Sequence, residues 1–299
     1  MSETLASAAR KIAREIPGCI VVDGTATADG AAGKTTLIDT ASWYVSPTTL
    51  PPDDYYNGGT LWFLSCTNTT LNGDTTVVTD FVSTTGSWSF GALAAQTKSG
   101  DTYSASNREY PRFILRQAVN YALREAGGED LQDTSLTSVT DQMTYDLPTG
   151  VFNVLRVEIA TSTSSPYGYK PLNHWREIND DIAFDEGYQL KSAGYTIRLT
   201  YRIPFTELTA DSSALPDLVD MNWVIWAGVA YCLRWKMGLT DGDNASARMF
   251  LKESLENAEK MKRIYKPKVQ QMERDWPASP WERGPANTAI WSSTSVRLR

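Results

Sequence analysis

The chain has 299 residues, 41% of them apolar, so it is long enough for two domains and apolar enough for a substantial core. Its formal net charge of −7 argues against a generic nucleic-acid coat protein, which needs a basic surface. The charge is uneven, since residues 1–245 carry 17 Lys and Arg against 29 Asp and Glu, and residues 246–299 carry 11 against 6. An acidic body with a basic end predicts head-to-tail docking or an acidic partner for that end.

Cysteine use and hydropathy indicate where the protein is made. Cys19, Cys66 and Cys232 are widely spaced and odd in number, which predicts small core residues in a reducing cytosol. No apolar run approaches the length that spans a bilayer, and the first residues lack the apolar stretch of a signal peptide. We therefore expect work inside the cell or exit by lysis, with no membrane partner.

In chain order, a short helix comes first. Ser2 and Glu3 suit its start, and Pro17-Gly18 suits its end. The residues on its apolar face are Leu5, Ala9, Ile12 and Ile16. A short helix with one apolar face is not stable alone, so this one must pack on a distant part of the chain.

From residue 19 to about residue 106 the chain is rich in Thr, Ser, Gly and Asp, and short strand-like runs alternate with glycine turns. The predicted strands are Ile20 to Val22, Leu61 to Ser65, Thr75 to Phe81, Ser87 to Phe90 and Thr102 to Ser104. Many short strands between glycine turns indicate a small all-β sandwich or barrel, inserted between the first and second helices.

A second helix is predicted after Pro111 and before Gly127-Gly128. Its apolar face is Ile114, Leu115, Ala118, Val119, Ala122 and Leu123. Strands follow, at Thr144 to Leu147, Val151 to Ala160, Tyr188 to Lys191 and Tyr195 to Ile203. The last of these alternates cleanly between apolar and polar residues, as a half-buried strand does.

The stretch from Pro216 to Trp276 predicts two long helices joined by a short polar turn. Asp217 suits the start of the first helix and Gly238 its stop. Apolar residues recur at steps of three and four in both helices, so an antiparallel helical hairpin is expected. Beyond Trp276 the chain has prolines, tryptophans and arginines without a period, which predicts an extended tail.

The predicted fold class is α+β: an antiparallel helical bundle with a β-hairpin region, an inserted small all-β sandwich or barrel, and an extended C-terminal tail. The predicted domains follow from these elements. They are a helical body at 1–18 and 107–275 with strands at about 144–203, an inserted β domain at 19–106, and a docking tail at 276–299.

Several motifs partly match catalytic or nucleotide-binding patterns, but each lacks a required feature. Gly30 to Thr36 resembles a phosphate-binding loop, but Ala28 stands where the motif needs glycine and no helical pattern follows, so a plain loop is favoured. The only histidine, His174, has no nucleophile motif to serve and is interpreted as structural or exposed. We expect no catalytic residue, no cofactor and no metal site.

Acidic pairs and aromatic clusters are the other candidates for a binding or catalytic role. Asp53-Asp54, Glu129-Asp130 and Asp180-Asp181 to Asp185-Glu186 are interpreted as solvated turns. The aromatic residues of the inserted region could form a sugar-binding platform, although core filling is favoured. They are Trp43, Tyr44, Tyr55, Tyr56, Trp62 and Trp88.

Two parts of the sequence resemble phage virion proteins. The helix from Tyr110 to Leu123, with a short helix before it, strands after it, a terminal helix pair and an extended tail, resembles the head-to-tail adaptor (connector) proteins of tailed bacteriophages. The inserted region is similar to a small β domain that recurs in phage virion proteins. The residues that carry this second resemblance are Asp53-Asp54-Tyr55-Tyr56-Asn57-Gly58-Gly59-Thr60-Leu61, Thr79-Asp80-Phe81, Thr85-Gly86 and Gly100-Asp101-Thr102-Tyr103.

The resemblance implies a structural protein of the virion neck and not an enzyme. It implies a dodecameric ring, assembled in the host cytoplasm, that joins the portal to the tail and continues the DNA channel. The implied partners are the portal protein, tail or nozzle proteins, further copies of the chain, and double-stranded DNA that passes without sequence-specific binding.

Specific residues are assigned to these contacts. The tail would dock on the portal through large aromatic anchors and cations, namely Trp276, Trp281, Arg283, Trp291, Arg297 and Arg299. The two long helices would pack neighbouring subunits together through Trp223, Trp226, Trp235, Phe250, Leu255 and Met261.

Two other classes stay open. A decoration or receptor-binding virion protein would bind cell-surface glycan through residues 19–106, and glycan binding by that region alone would favour it. A phage wall hydrolase would need paired catalytic carboxylates in one cleft, and clearing of a peptidoglycan suspension would establish it.

Overall fold

The computed structural model describes residues 3–40, 51–151, 153–164, 168–188, 190–239 and 245–265. Within these ranges the chain forms 13 β-strands and four α-helices, together with one short 3₁₀ helix. The strands make three sheets whose described pairings are antiparallel. The fold is therefore mostly β, and the predicted antiparallel helical bundle with a β-hairpin region is wrong.

The elements have the following bounds. The helices are α1 (Leu5–Glu15), α2 (Arg112–Ala126), α3 (Met221–Leu239) and α4 (Ala245–Ile264). The first six strands are β1 (Val21–Thr25), β2 (Thr36–Ile38), β3 (Thr60–Ser65), β4 (Thr75–Val82), β5 (Ser87–Phe90) and β6 (Thr102–Ser106). The others are β7 (Gly128–Thr137), β8 (Thr144–Asp146), β9 (Val154–Ala160), β10 (Tyr169–Pro171), β11 (Trp175–Ile178), β12 (Asp181–Phe184) and β13 (Thr196–Pro204).

The chain divides into two compact units. Unit 1 comprises Met1–Glu129 and the described residues from Pro204 onward, and unit 2 comprises Asp130–Ile203. All four helices and strands β1 to β6 belong to unit 1, whereas β7 to β13 fall almost entirely in unit 2. The domain boundaries expected from the sequence stay a prediction.

Helix α1 begins one residue after Thr4, whose side-chain oxygen accepts a hydrogen bond from the Ser7 backbone N–H at 3.2 Å. This N-cap satisfies one of the free donors of the first turn. Leu5 and Ile12 on its apolar face are fully buried, in one core with residues of α2, α3 and α4. The expectation that this short helix packs on distant parts of the chain is confirmed.

Helix α3 starts later than the sequence suggested. Asp220 precedes it and accepts a hydrogen bond from the Asn222 backbone N–H at 2.8 Å, so Asp220 and not Asp217 marks the start. Gly238 lies inside the last turn and does not end the helix. At Gly228 the side chain of Ile12 from α1 comes so close that a Cβ would lie 2.3 Å from its Cδ1 atom, which explains a glycine in mid-helix.

Strands β1 to β6 form one sheet in the order β1-β6-β3-β4-β5-β2. An isolated bridge between Ala28, just after β1, and Ile38 of β2 joins the two edges of the sheet at one point. The sheet is therefore curled into a half-barrel. Its interior is filled by large aromatic side chains, namely Tyr56, Phe63, Phe81, Trp88 and Tyr103.

Unit 2 contains a sheet in the order β10-β9-β13-β7 and a second in the order β11-β12-β8. Tyr145 of β8, Val157 of β9 and Phe184 of β12 belong to one shared core.

The strands expected near 144–147, 151–160 and 195–203 are confirmed as β8, β9 and β13. Tyr188 and Lys191 lie outside any strand, so the strand expected there is wrong in its described residues. Strands β7, β10, β11 and β12 were not expected.

Among the described residues, no helix combines the length and apolar content that crossing a lipid bilayer requires.

Candidate functional site

Helices α3 and α4 keep large apolar side chains in solvent. Leu239 at the end of α3 is 62% exposed, Met249 and Phe250 near the start of α4 are 64% and 55% exposed, and Ile264 at the end of α4 is 61% exposed. We call these four residues the hairpin surface. Met249 and Phe250 are consecutive in the chain, and exposed apolar pairs of this size are typical of a surface that a partner covers. Ile264 lies about 20 Å farther along α4.

The opposite side of α4 is fixed to unit 1. Leu251 and Ala258 are 7% and 1% exposed and belong to the unit's core. Glu259 pairs with Arg234 of α3, and Lys262 Nζ lies 2.7 Å from Glu125 Oε2 of α2. Helix α4 is therefore held in one orientation, so the direction in which the hairpin surface faces is determined by the fold.

The six residues predicted to pack neighbouring subunits are distributed differently. Trp223 is 4% exposed and belongs to the core of unit 1, and Trp226 and Trp235 pack partly buried against that core. Leu255 and Met261 are half-buried on α4, and Phe250 is the one of the six that is mostly exposed. The structure therefore places Phe250 where a neighbour can reach it and Trp223 where it cannot. The packing role itself stays a prediction.

A second exposed apolar surface lies where α2 begins. Phe113 is 57% exposed and Val77 of β4 is 39% exposed. Hollows of about 290 and 270 Å³ adjoin Phe113, and Arg116 lines both. We call Phe113 and Val77 with these hollows the Phe113 surface. Sequence reasoning missed it, although Phe113 falls outside the apolar face predicted for this helix.

An ion cluster fixes the segment before α3 next to the Phe113 surface. Asp211 Oδ2 lies 2.5 Å from Arg112 Nη2 and accepts a hydrogen bond from the Thr75 hydroxyl at 2.5 Å. The Asp211 backbone C=O accepts from the Ala6 backbone N–H at 3.1 Å. Burial and the nearby Asp211 carboxylate raise the pKa of Asp74, with Arg112 acting in the opposite direction. Asp211 thus joins β4 and α2 through its carboxylate and α1 through its backbone C=O.

The glycine-rich loop from Gly30 to Thr36 leads into strand β2 and not into a helix. Lys34 has a positive φ of 61°, and its Nζ donates a hydrogen bond to the Ala94 carbonyl oxygen at 2.8 Å. The lysine is therefore engaged in a structural bond. The interpretation of this stretch as a loop of the β region is confirmed.

His174 and the acidic pairs have structural surroundings. The His174 ring stacks on Tyr188 with centroids 3.7 Å apart, on a turn where His174 has a φ of 62°. Asp53 Oδ1 accepts from the Ser83 backbone N–H at 2.7 Å, and Asp130 Oδ1 lies 2.6 Å from Arg202 Nε. The described ranges contain no group of three or more His, Cys, Asp or Glu residues arranged to hold a metal ion.

The aromatic residues considered as a sugar platform are mostly buried. Tyr56, Trp62 and Trp88 are 0%, 2% and 0% exposed. Their rings pack against protein, so they have no open face on which a sugar ring could stack. Trp43 and Tyr44 lie outside the described residues.

The cysteines are free and buried, as the sequence predicted. Burial, followed by the nearby Glu109 carboxylate, raises the pKa of Cys19 to about 12, and burial raises the pKa of Cys66 to about 12 as well. Both thiols are therefore protonated at neutral pH and are poor nucleophiles.

The residues assigned to portal docking lie outside the described part of the chain. They are Trp276, Trp281, Arg283, Trp291, Arg297 and Arg299. No protein-family model matches the sequence, and no curated protein matches it either.

Proposed function

We propose that the protein is a structural virion protein, an adaptor ring in the neck that joins the portal to the tail and continues the DNA channel. The observation that carries this proposal is the hairpin surface, whose four apolar side chains are 55% to 64% exposed. Fully burying a side chain of this kind stabilises by about 1.5–3 kcal/mol. A neighbouring copy of the chain supplies that burial in a ring.

Unit 1 also has a second apolar surface, different from the hairpin surface, and two different surfaces favour a ring over a dimer. The hairpin surface and the Phe113 surface belong to different elements, the first to α3 and α4 and the second to α2 and β4. Contact between unlike surfaces of successive copies builds a ring where the rotation closes and a filament where it does not, whereas contact between like surfaces stops at two copies.

The charge distribution supports the passage of DNA through the channel and the docking of the ring on the portal. An acidic body, with 29 Asp and Glu against 17 Lys and Arg in residues 1–245, offers few cations for DNA phosphates to bind, so DNA can pass through a channel built from it. The basic end, with 11 cations against 6 anions in residues 246–299, carries the tryptophans Trp276, Trp281 and Trp291 that anchor the ring on the portal.

The test is the mass of the protein alone and with purified portal, measured by light scattering. We expect the wild type to form a ring on the portal and the double variant Met249→Glu, Phe250→Glu to remain a folded monomer. Val139→Glu is the matched control, because Val139 is 49% exposed and lies in unit 2. Assembly by the double variant to the same extent as the wild type would refute the proposal.

Removing residues 277–299 tests the portal contact separately. We expect the truncated chain to fold but not to co-sediment with portal, since it lacks Trp281 and Trp291. Undiminished co-sedimentation would assign portal binding to another part of the chain.

A further inference from the structure

The two hollows that adjoin the Phe113 ring differ in charge. The second, of about 270 Å³, is lined in part by the exposed Glu207. The first, of about 290 Å³, has no acidic group among its described lining residues, which are Gly58, Val77, Pro111, Arg112, Phe113 and Arg116. A volume of about 150 Å³ is enough for a benzene ring. The first hollow therefore has room for one aromatic side chain and does not repel a carboxylate next to it.

Arg108 is an exposed cation beside the first hollow. Gly58 lines that hollow, and a Cβ placed on Gly58 would lie 3.6 Å from the Arg108 Cβ. Within the described part of the chain, the Arg108 side chain makes no hydrogen bond or ion pair, and the neighbouring Glu109 pairs with Lys236. Arg108 is therefore free to pair with a carboxylate from outside the unit.

The two arginines that line the first hollow share one counter-ion. Arg112 Nη2 lies 2.5 Å from Asp211 Oδ2, and Arg116 Nε lies 3.6 Å from Asp211 Oδ1. Both guanidinium groups are thus engaged inside the unit, but one carboxylate balances only one of the two charges. The rim of the first hollow therefore keeps a positive charge in addition to that of Arg108.

The start of α4 has the complementary features. Met249 and Phe250 are 64% and 55% exposed. Glu253 follows them by four and three residues, so it lies on the same side of the helix. It is exposed and makes no hydrogen bond or ion pair with any residue that the structure describes. Lys252 precedes it, but consecutive residues of a helix do not face each other. An aromatic ring, a thioether and a free carboxylate thus project together.

We propose that the start of α4 in one copy of the chain docks on the Phe113 surface of the next copy. Phe250 enters the first hollow, and Met249 packs on the exposed Phe113 ring. Glu253 pairs with Arg108. A thioether sulfur and an aromatic ring attract each other, and a guanidinium can hold a carboxylate by two parallel N–H bonds. This inference rests on the proposed function, because it names the two surfaces through which successive copies of the ring meet.

Charge favours this arrangement over the alternatives. Two hairpin surfaces in contact would place Glu253 of both copies in one interface, and two Phe113 surfaces would do the same with Arg108. Like charges across an interface disfavour it. In the second hollow, Glu207 would repel Glu253 in the same way. Contact between the unlike surfaces at the first hollow joins opposite charges.

The experiment reverses the two charges. Ring mass on purified portal is measured by light scattering for the wild type, Arg108→Glu, Glu253→Arg, and an equal mixture of the two variants. Each variant alone has like charges in every contact, so half-maximal assembly should need at least tenfold more protein than in the wild type. In the mixture the two variants can alternate, and every contact then joins opposite charges again. Assembly should therefore return to within threefold of the wild type.

Arg124→Glu is the matched control. Arg124 is an exposed arginine in the last turn of the same helix as Phe113, about 16 Å from it along the axis. Its reversal should change assembly by less than twofold. Rescue in the mixture also shows that both variants are folded, since an unfolded chain would not complement its partner.

The outcomes separate this contact from the proposed function. Wild-type assembly by both single variants overturns the contact and leaves the ring in place. Loss of assembly without rescue in the mixture shows that Arg108 and Glu253 do not face each other and overturns it as well. Equal loss in Arg124→Glu and Arg108→Glu overturns the specific role of Arg108. A wild type that forms only two-copy species, or does not assemble on the portal, overturns the proposed function and this contact together.

Discussion

Helices α3 and α4 follow each other in the chain and have 19 and 20 residues, yet they use their apolar residues differently. Helix α3 is buried on several sides, with Trp223, Val224 and Cys232 all in the core of unit 1. Helix α4 buries a narrow stripe at Leu251 and Ala258 and leaves Met249 and Phe250 in solvent. The buried apolar side chains of α3 therefore stabilise the monomer, whereas Leu239 at its end and the apolar residues on the outer side of α4 are available to a neighbour.

The largest expected loss of stability comes from Trp223 on α3. Trp223→Ala should lower the free energy of unfolding by about 3–5 kcal/mol, since it removes a large side chain from a packed core. Denaturant unfolding of the monomer measures this loss. Trp226→Ala is the matched control and should cost clearly less, because Trp226 is only partly buried. Equal losses would mean that Trp223 is no more deeply buried than Trp226.

The next effect concerns the crossing of α1 and α3. Gly228→Ala should destabilise the protein by about 1–3 kcal/mol through overpacking against Ile12. The matched control is Gly238→Ala, where a Cβ meets nothing within 4 Å and the better helix propensity should add up to about 1 kcal/mol. Thermal unfolding compares the two. If Gly228→Ala is as stable as Gly238→Ala, the close packing of the two helices is incorrect.

A smaller effect is expected where α4 is tied to α2. Lys262→Gln removes the ion pair with Glu125, whose two side chains are 19% and 29% exposed, and should cost no more than about 1 kcal/mol in dilute salt. The loss should shrink as the salt concentration rises, because added ions screen the pair. Urea unfolding at two salt concentrations checks this, and a loss independent of salt would point to packing by the lysine stem.

The smallest effect on the monomer is expected at the hairpin surface. Phe250→Ser should leave the free energy of unfolding within about 0.5 kcal/mol of the wild type, as is usual for exposed positions. The same substitution should reduce ring formation on the portal, measured by light scattering. A large loss of monomer stability would show that Phe250 supports its own unit and would remove the basis for assigning it to a neighbour.

Elements held by interactions between residues close together in the chain could be predicted from the sequence, and contacts between distant residues could not. The helices were predictable because residues three and four positions apart share a face of a helix, as Leu5, Ala9 and Ile12 of α1 do. Strands β4 and β5 were predictable from strand-forming residues and the glycine turn at Gly86. Strands β11 and β12 have four residues each, as β5 does, and were missed because the turn between them, Asn179 and Asp180, contains no glycine to mark it.

The candidate sites were harder to predict than the elements. Arg112 and Asp211 lie 99 residues apart along the chain and meet at 2.5 Å, and nothing in the local pattern of either links them. Phe113 belongs to a helix that was predicted, but its exposure depends on where the half-barrel packs. Trp223 and Phe250 were grouped together from their helical spacing. In the structure Trp223 is a core residue and Phe250 is a surface residue, because burial depends on tertiary contacts.

The sequence by itself determined where the helices and most strands of the half-barrel form, because local spacing, turn residues and caps act over a few positions. Only the tertiary structure decided that strands dominate the fold and which side of α4 stays in solvent. It also decided that Arg108 lies beside the first hollow at Phe113, since burial and the pairing of charges depend on contacts between residues far apart in the chain.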